Sequence, residues 1–299
     1  MRVTNGMLIT NMMRDYAKNM RKLEKLQSQL SSGKRILKPS DDPVAVSKSL
    51  KLRADLAYNQ QYVSNADNAI SWLEATESAL KDLGDVLHRA RELAVQASNG
   101  ALAPEDRMTI ADEIEQLQKH VVQVGNTTYA GRYIFAGYKT DKPPFEVVQQ
   151  VDGSLRLDYK GDSGKIAFEI GIGNRIEVNV LGGSGGAEID EIYDVLERFK
   201  NELRNGTNAN LDGYIGEIDQ RMTQILSQRS AVGAKVNRFE LIRARLKEEE
   251  INFTSLLSQN EDVDVAEVIM RLKEAENVYR ASLAAGARII MPTLMDFLR

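Results

Sequence analysis

The sequence predicts a mainly α protein: a long coiled-coil or helical-bundle rod with its N- and C-terminal helices paired, carrying a small antiparallel β insert. Three observations carry this. Apolar residues recur at spacings of three and four along both ends of the chain, often in unbroken seven-residue series. Pro39, Pro43, Pro104, Pro143, Pro144 and Pro292 leave long stretches with no helix breaker. Eleven of the 21 glycines fall between Gly131 and Gly186, where the apolar period drops to two and helices give way to turns.

The first helix carries Ile9, Tyr16, Leu23 and Leu30 in one register, with Met13, Met20 and Gln27 in the other. It should end near Ser32-Gly33, because glycine takes the left-handed C-terminal position without strain. Asp41 or Asp42 then suits an N-cap, with Pro43 at the first helical position. The second helix, from Val44 to about Asn99, carries the series Leu52, Asn59, Ala66, Leu73, Leu80, Leu87 and Ala94, partnered by Leu56, Val63, Ile70 and Glu77. At 1.5 Å per residue it runs roughly 80 Å, longer than a compact domain prefers. Pro104 with Glu105 and Asp106 starts a third helix, whose apolar face is Ile110, Ile114, Leu117, Val121 and Val124.

In the centre, Leu155, Leu157 and Tyr159 alternate with polar residues after the turn dipeptide Asp152-Gly153. Ile166, Phe168, Ile170 and Ile172 repeat the alternation, as do Ile176, Val178 and Val180 beyond Gly173-Asn174. Residues 182–186, Gly-Gly-Ser-Gly-Gly, read as a flexible return to helix. Ile189, Ile192, Leu196, Phe199 and Leu203 line a short helix. A long one carries Leu211, Ile218, Ile225, Val232, Phe239, Leu246 and Phe253. The last begins near Asp264, with Glu267 placed for a capping box, and carries Ile269, Leu272, Tyr279, Leu283 and Ile290. Pro292 ends or kinks it before Leu294, Phe297 and Leu298.

Composition narrows the chemistry. With no cysteine there are no disulfides, thiolate metal sites or Cys nucleophiles. Two histidines make a His-rich zinc site a poor fit. A net charge of -4 argues against nucleic acid as a partner. No stretch approaches the ~20 apolar residues of a membrane span. Met1 to Asp15 lacks the pattern of a secretory signal peptide. The Asp41–Asp42 pair reads as a cap rather than acid–base machinery, and Glu248, Glu249 and Glu250 as a solvated helix face. Gly171-x-Gly173 enters a strand rather than a helix, so it is no dinucleotide loop. With no cluster of nucleophile, base and orienting group, the chain reads as non-catalytic.

The segment Leu30-Ser-Ser-Gly-Lys-Arg-Ile36, followed by Asp41-Asp42-Pro43, resembles the signature loop of the bacterial flagellin family. Arg91-Glu-Leu-Ala-Val-Gln-Ala97 and Asn126-Thr-Thr-Tyr-Ala-Gly131 are similar to two further stretches of that family. The opening Met1-Arg-Val-Thr4, the close Pro292-Thr-Leu-Met-Asp-Phe-Leu298 and the single small insert are most similar to the members that join the flagellar hook to the filament. The resemblance implies a chain that goes out and returns, with ends disordered in the free subunit and helical once assembled. The physics agrees, since helices are marginal alone and association can offset their ordering entropy. It also implies an extracellular place in the bacterial flagellum, reached through the flagellar type III channel without a cleaved signal peptide. The implied partners are other axial proteins (a neighbouring hook-associated protein and flagellin), further copies in a ring, and a flagellar export chaperone. No cofactor or metal is implied, and no nucleic acid or membrane insertion.

These readings divide the chain into terminal coiled-coil helices at 1–43 and 259–299, a helical rod at 44–130 and 187–258, and a β domain at 131–186. Ile9, Met13, Tyr16, Met20, Leu23, Leu30, Ile269, Leu272, Tyr279, Leu283, Ile290, Leu294, Phe297 and Leu298 are the expected assembly interface. Ser31, Ser32, Gly33, Arg35, Asp41, Asp42 and Pro43 form the signature loop. Arg89, Arg91, Glu92 and Gln96 are either a further subunit contact or a charged helix face. The expected function is a structural adaptor between hook and filament. The alternatives are flagellin, the bulk filament subunit, and a cytoplasmic coiled-coil scaffold.

Overall fold

The computed structural model describes residues 5–98, 103–149, 155–205 and 211–290. Helix α1 (Asn5–Ser32) stops where Gly33 turns to φ +69. Helix α2 (Pro43–Ser98) is capped by Asp42, whose Oδ1 accepts the Ala45 N–H at 3.0 Å while its carbonyl accepts that of Val46 at 3.0 Å. Helix α3 (Pro104–Gly125) has Pro104 and the acidic Glu105 and Asp106 in its first turn, where they suit the positive end of the helix dipole. Helices α4 (Ile189–Asn205), α5 (Leu211–Glu261) and α6 (Val265–Ile290) follow the β segment. Asp264 caps α6 by accepting the N–H groups of Ala266 and Glu267. The expected capping box is half made, because Glu267 turns to Arg271 one turn on, at 2.6 Å.

The chain forms two compact units, a terminal one (residues 1–58 with 249–299) and a central one (59–248). Helices α2 and α5 contribute residues to both.

In the central unit the seven-residue series define the core. Ala66, Leu73, Leu80, Leu87 and Ala94 of α2 are buried, as are Leu211, Ile218, Ile225, Val232, Phe239 and Leu246 of α5. The two helices run antiparallel, tied along their flanks by Asp67–Arg243 at 3.3 Å, Glu77–Arg229 at 2.7 Å and Arg91–Asp219 at 2.7 Å. The expected faces of α3 and α4 join the same core through Ile110, Ile114, Val121, Val124, Ile192, Leu196 and Phe199. Trp72 packs inside, edge-on to Tyr129 with ring centroids 6.1 Å apart.

The β segment is three antiparallel pairs rather than one sheet: β1 (Thr128–Tyr129) with β2 (Arg132–Tyr133), β3 (Phe145–Gln149) with β4 (Leu155–Tyr159), and β5 (Ala167–Gly171) with β6 (Asn174–Glu177). Each of the larger pairs buries part of one face, through Phe145, Leu157, Ile170 and Ile176. The Asp152-Gly153 turn lies outside the described residues. Two expectations are corrected here. Ile172 does not continue the strand; it sits at the β5–β6 turn beside Gly173 (φ +71) and is 94% exposed. The 182–186 segment is not a flexible return. Gly182, Gly183 and Gly186 are buried, and the Gly182 N–H donates to the Phe135 carbonyl at 3.1 Å. A Cβ on Gly182 would meet Phe145 at 2.6 Å, and one on Gly183 would meet Tyr159 at 2.7 Å. Glycine is used here for close approach rather than for freedom.

Phe239 is fully buried in the α5 series. Phe239→Ala should cost about 3–5 kcal/mol by lost transfer energy and cavity formation, read as a shift in the urea midpoint with unchanged helical signal.

Candidate assembly interface

The terminal unit is built on an antiparallel pair of α1 and α6. Inward positions on α1 are Met12, Tyr16, Asn19, Leu23, Leu26 and Leu30, stepping by four and three, and α6 answers with Val268, Leu272, Ala275, Tyr279, Ser282 and Gly286. This is the spacing of a coiled-coil seam. The Tyr16 and Tyr279 rings lie 5.3 Å apart with their hydroxyls hydrogen-bonded at 2.6 Å. A Cβ at position 286 would come within 2.9 Å of the Met12 sulfur, so Gly286 gives that side chain its notch. The buried apolar cluster is small: Leu26, Val268, Leu272 and Ala275, with Leu23, Leu30 and Val263 packed beside it.

Five of the expected interface residues therefore face the seam: Tyr16, Leu23, Leu30, Leu272 and Tyr279. The second row of α1 is Met12, Asn19 and Leu26, one residue before the expected Met13, Met20 and Gln27. Both rows stand three or four residues from the Tyr16–Leu23–Leu30 series, so spacing alone does not choose between them. Met13 and Met20, 57% and 53% exposed, are left outside with Ile9, Ile269 and Leu283. Ile290 is the last residue of α6 and its side chain lies outside the described residues, as do Leu294, Phe297 and Leu298.

The signature loop folds onto the α5–α6 turn. The Arg35 N–H donates to the Glu261 carbonyl at 2.7 Å, and the Val263 N–H donates to the Gly33 carbonyl at 3.1 Å. At its centre the buried Glu261 carboxylate meets Arg53 of α2 at 2.5 Å and Lys34 of the loop at 2.9 Å. Asn260 donates to the Ala45 carbonyl at 2.8 Å and to Ser49 Oγ at 2.6 Å. Asp41 accepts the N–H groups of Leu37 and Lys38 and pairs with Lys25 at 2.8 Å. Gln29 donates to the Arg35 carbonyl at 2.7 Å. Ser32 Oγ accepts the Lys34 N–H at 3.2 Å, and Asp42 and Pro43 open α2. Burial alone would raise the Glu261 pKa. Hydrogen bonds from Arg53, Lys34 and Ser49 outweigh it and hold the group at about 2. Sequence reading located the loop but missed Glu261, Arg53 and Asn260, which read as ordinary surface polar residues of long helices.

The third candidate group lies in the central unit. Arg89 pairs with Glu113 at 2.6 Å and Glu92 at 2.8 Å, and Arg91 pairs with Asp219 at 2.7 Å. These contacts tie α2 to α3 and α5, while Gln96 stays exposed. Asn126, in the third family-like stretch, exchanges two hydrogen bonds with the Phe145 backbone at 3.0 and 3.1 Å and fixes β3 against the end of α3. Among the described residues, no three His, Cys, Asp or Glu stand together to hold a metal ion, and no helix is long and apolar enough to cross a membrane.

Antiparallel pairing of α1 with α6 and of α2 with α5 defines a helical protein whose chain goes out and returns. Residues 3–140 match the bacterial flagellin N-terminal helical region and residues 215–298 match the C-terminal helical region; the chain belongs to the bacterial flagellin family. It is 28% identical to flagellar hook-associated protein 3 of Escherichia coli (strain K12), covering 94% of this chain and 96% of that one. It is 26% identical to a flagellin of Halalkalibacterium halodurans, covering 96% of this chain and 94% of that one. Among solved structures, Bacillus cereus FlgL superposes with a TM-score of 0.59 at 26% identity, over 70% of this chain and 99% of that one. A hook-associated protein structure from Vibrio parahaemolyticus superposes with a TM-score of 0.66 at 20% identity, over 74% of this chain and 100% of that one, and shares the fold.

The Glu261 clamp carries a pH dependence of definite sign. Its pKa falls from the ordinary 4.5 to about 2 on folding, so its contribution is complete above pH ~4.5 and is lost as pH falls toward 2. Glu261→Gln should cost the terminal unit about 1–2 kcal/mol at neutral pH, because solvent screens the half-exposed Lys34 and Arg53. Melting curves of parent and variant should lie apart at pH 7 and converge near pH 2.

Proposed function

We propose that this protein is the structural adaptor joining hook to filament in a bacterial flagellum, and that its terminal helix pair makes the assembly contacts. The observation that carries the reading is the second apolar row. After α1 and α6 have satisfied one another, Ile9, Met13 and Met20 on α1 and Ile269, Met270 and Leu283 on α6 remain in water. Most of the exposed large apolar side chains among the described residues belong to the terminal unit, including Val44, Leu50, Tyr58 and Ile251. Clustering of this kind marks an interaction surface rather than the scatter normal on a monomer. The matches to hook-associated protein 3 over nearly the whole chain favour the junction among the family's roles. The second reading, a bulk filament subunit, draws on the flagellin matches of similar coverage.

The same surface supports the other parts of the proposal. A pair held by so small a buried cluster is marginal alone, so the α1–α6 pair beyond the Glu261 cluster orders fully only on assembly. The exposed rows also give an export chaperone something to cover before the chain travels through the type III channel. The ring of copies, the neighbouring hook-associated protein and flagellin are the partners that would bury them afterwards.

Immuno-electron microscopy of detached flagella decides between the readings. Label confined to the hook–filament boundary is expected; label along the whole filament would establish the bulk subunit instead. Two substitutions test the terminal surface. Leu283 is 47% exposed and Leu272 only 8%. Leu283→Asp should melt within about 0.5 kcal/mol of the parent, as surface changes do, and should be exported without supporting a filament. Leu272→Asp should weaken the helix pair itself, seen as faster proteolysis of both chain ends.

A further inference from the structure

Between the Met12–Gly286 contact and the cluster around Leu26 and Leu272, the α1–α6 seam brings two phenols together. Tyr16 of α1 and Tyr279 of α6 are 263 residues apart in the chain. Their rings stand 5.3 Å apart, tilted by 32°, and their hydroxyls meet at 2.6 Å. Both rings are half-buried, so each keeps an edge in solvent.

Packing does not account for the two oxygens. A phenylalanine pair would fill the same seam and leave nothing polar to satisfy, while one hydrogen bond between neutral groups adds little net stability. The pairing is also selective. The other ring contacts among the described residues set a tyrosine against tryptophan or phenylalanine: Tyr129 with Trp72, Tyr159 with Phe145, and Tyr214 with Phe199. With no cysteine, the chain cannot join its ends by a disulfide, and no thiol competes for an oxidant. Two phenols already held in contact react as neighbours rather than by chance encounter, which favours their coupling over that of scattered tyrosines.

We propose that Tyr16 and Tyr279 form an oxidative cross-linking site, where a one-electron oxidant of the haem peroxidase and hydrogen peroxide class joins the two rings as a dityrosine and locks α1 to α6. Each phenol gives up one electron and its hydroxyl proton and becomes a phenoxyl radical. The radicals join by a carbon–carbon bond between the ring carbons next to those bearing oxygen. That is the end of each ring which the hydrogen bond draws to its partner. The hydrogen on each newly bonded carbon moves to its own ring oxygen and restores both phenols. In sum two electrons and two protons leave, and hydrogen peroxide takes them up to become two waters. A link spanning 263 residues restricts the unfolded chain as a long-loop disulfide does, and so secures a pair whose buried cluster is small. The site rests on the α1–α6 pairing and not on the adaptor reading.

The full-length chain, free and in detached flagella, is treated with a haem peroxidase and hydrogen peroxide. A peptide joining residues 16 and 279, lighter by two hydrogens than its two parts, is expected by mass spectrometry of the monomer band, which should carry dityrosine fluorescence. Tyr16→Phe and Tyr279→Phe should each remove most of that fluorescence. Leu272→Asp keeps both phenols but weakens the pair, and should lower the yield several-fold. Oxidation should slow proteolysis of the parent's ends several-fold and give Tyr16→Phe no such protection. Absence of the linked peptide from both preparations would overturn the proposal. So would Tyr16 linked only to another copy, a yield unchanged by Leu272→Asp, or equal protection of Tyr16→Phe. None of these results moves the label at the hook–filament boundary, and label elsewhere would sink the adaptor reading while leaving this site in place.

Discussion

The buried carboxylate of Glu261 is the point on which the terminal unit turns. A lone charge in that position would be costly, and two cations from different segments remove the cost together. Lys34 belongs to the loop after α1 and Arg53 to α2, while Glu261 ends α5 and leads into α6. One charge cluster thus fixes the relation of four helices. The backbone bonds beside it, Arg35 to Glu261 and Val263 to Gly33, convert a surface loop into a short two-stranded clasp. Only a residue free to adopt φ +69 turns the chain there, which gives Gly33 its place in the loop.

With the clasp fixed, α1 and α6 are set antiparallel and in register, and each has more apolar surface than the other can cover. The seam buries one row, and the row one residue over remains in water. A closed bundle would waste that second row; a subunit that adds to a larger array needs it. The central unit differs in kind. Its α2 and α5 series are buried against α3 and α4, and its charged flanks are tied by ion pairs across α2, α3 and α5.

The β segment is held to the helices by specific contacts rather than tethered loosely. Asn126 bonds to the Phe145 backbone, Tyr159 donates to the Phe135 carbonyl at 2.9 Å, and Gly182 and Gly183 let the returning chain pass close to the Phe145 and Tyr159 rings.

The sequence by itself determined the helices, their ends and the family. Seven-residue periodicity, Pro43 and Pro104 at helix starts, Gly33 at a helix end and the 30–43 motif are local signals, and local signals survive in one dimension. It also located every buried position of the α5 series, because a long helix repeats one face. Tertiary structure alone decided which of two adjacent rows on α1 meets α6, since Met13–Met20 and Met12–Asn19–Leu26 fit the same spacing and differ only in what lies opposite. It alone showed that Gly182 and Gly183 are packed, because close approach depends on rings more than twenty residues away. It alone joined Lys34 and Arg53 to Glu261, more than two hundred residues further along the chain, whose charge carries no mark of burial until the fold encloses it.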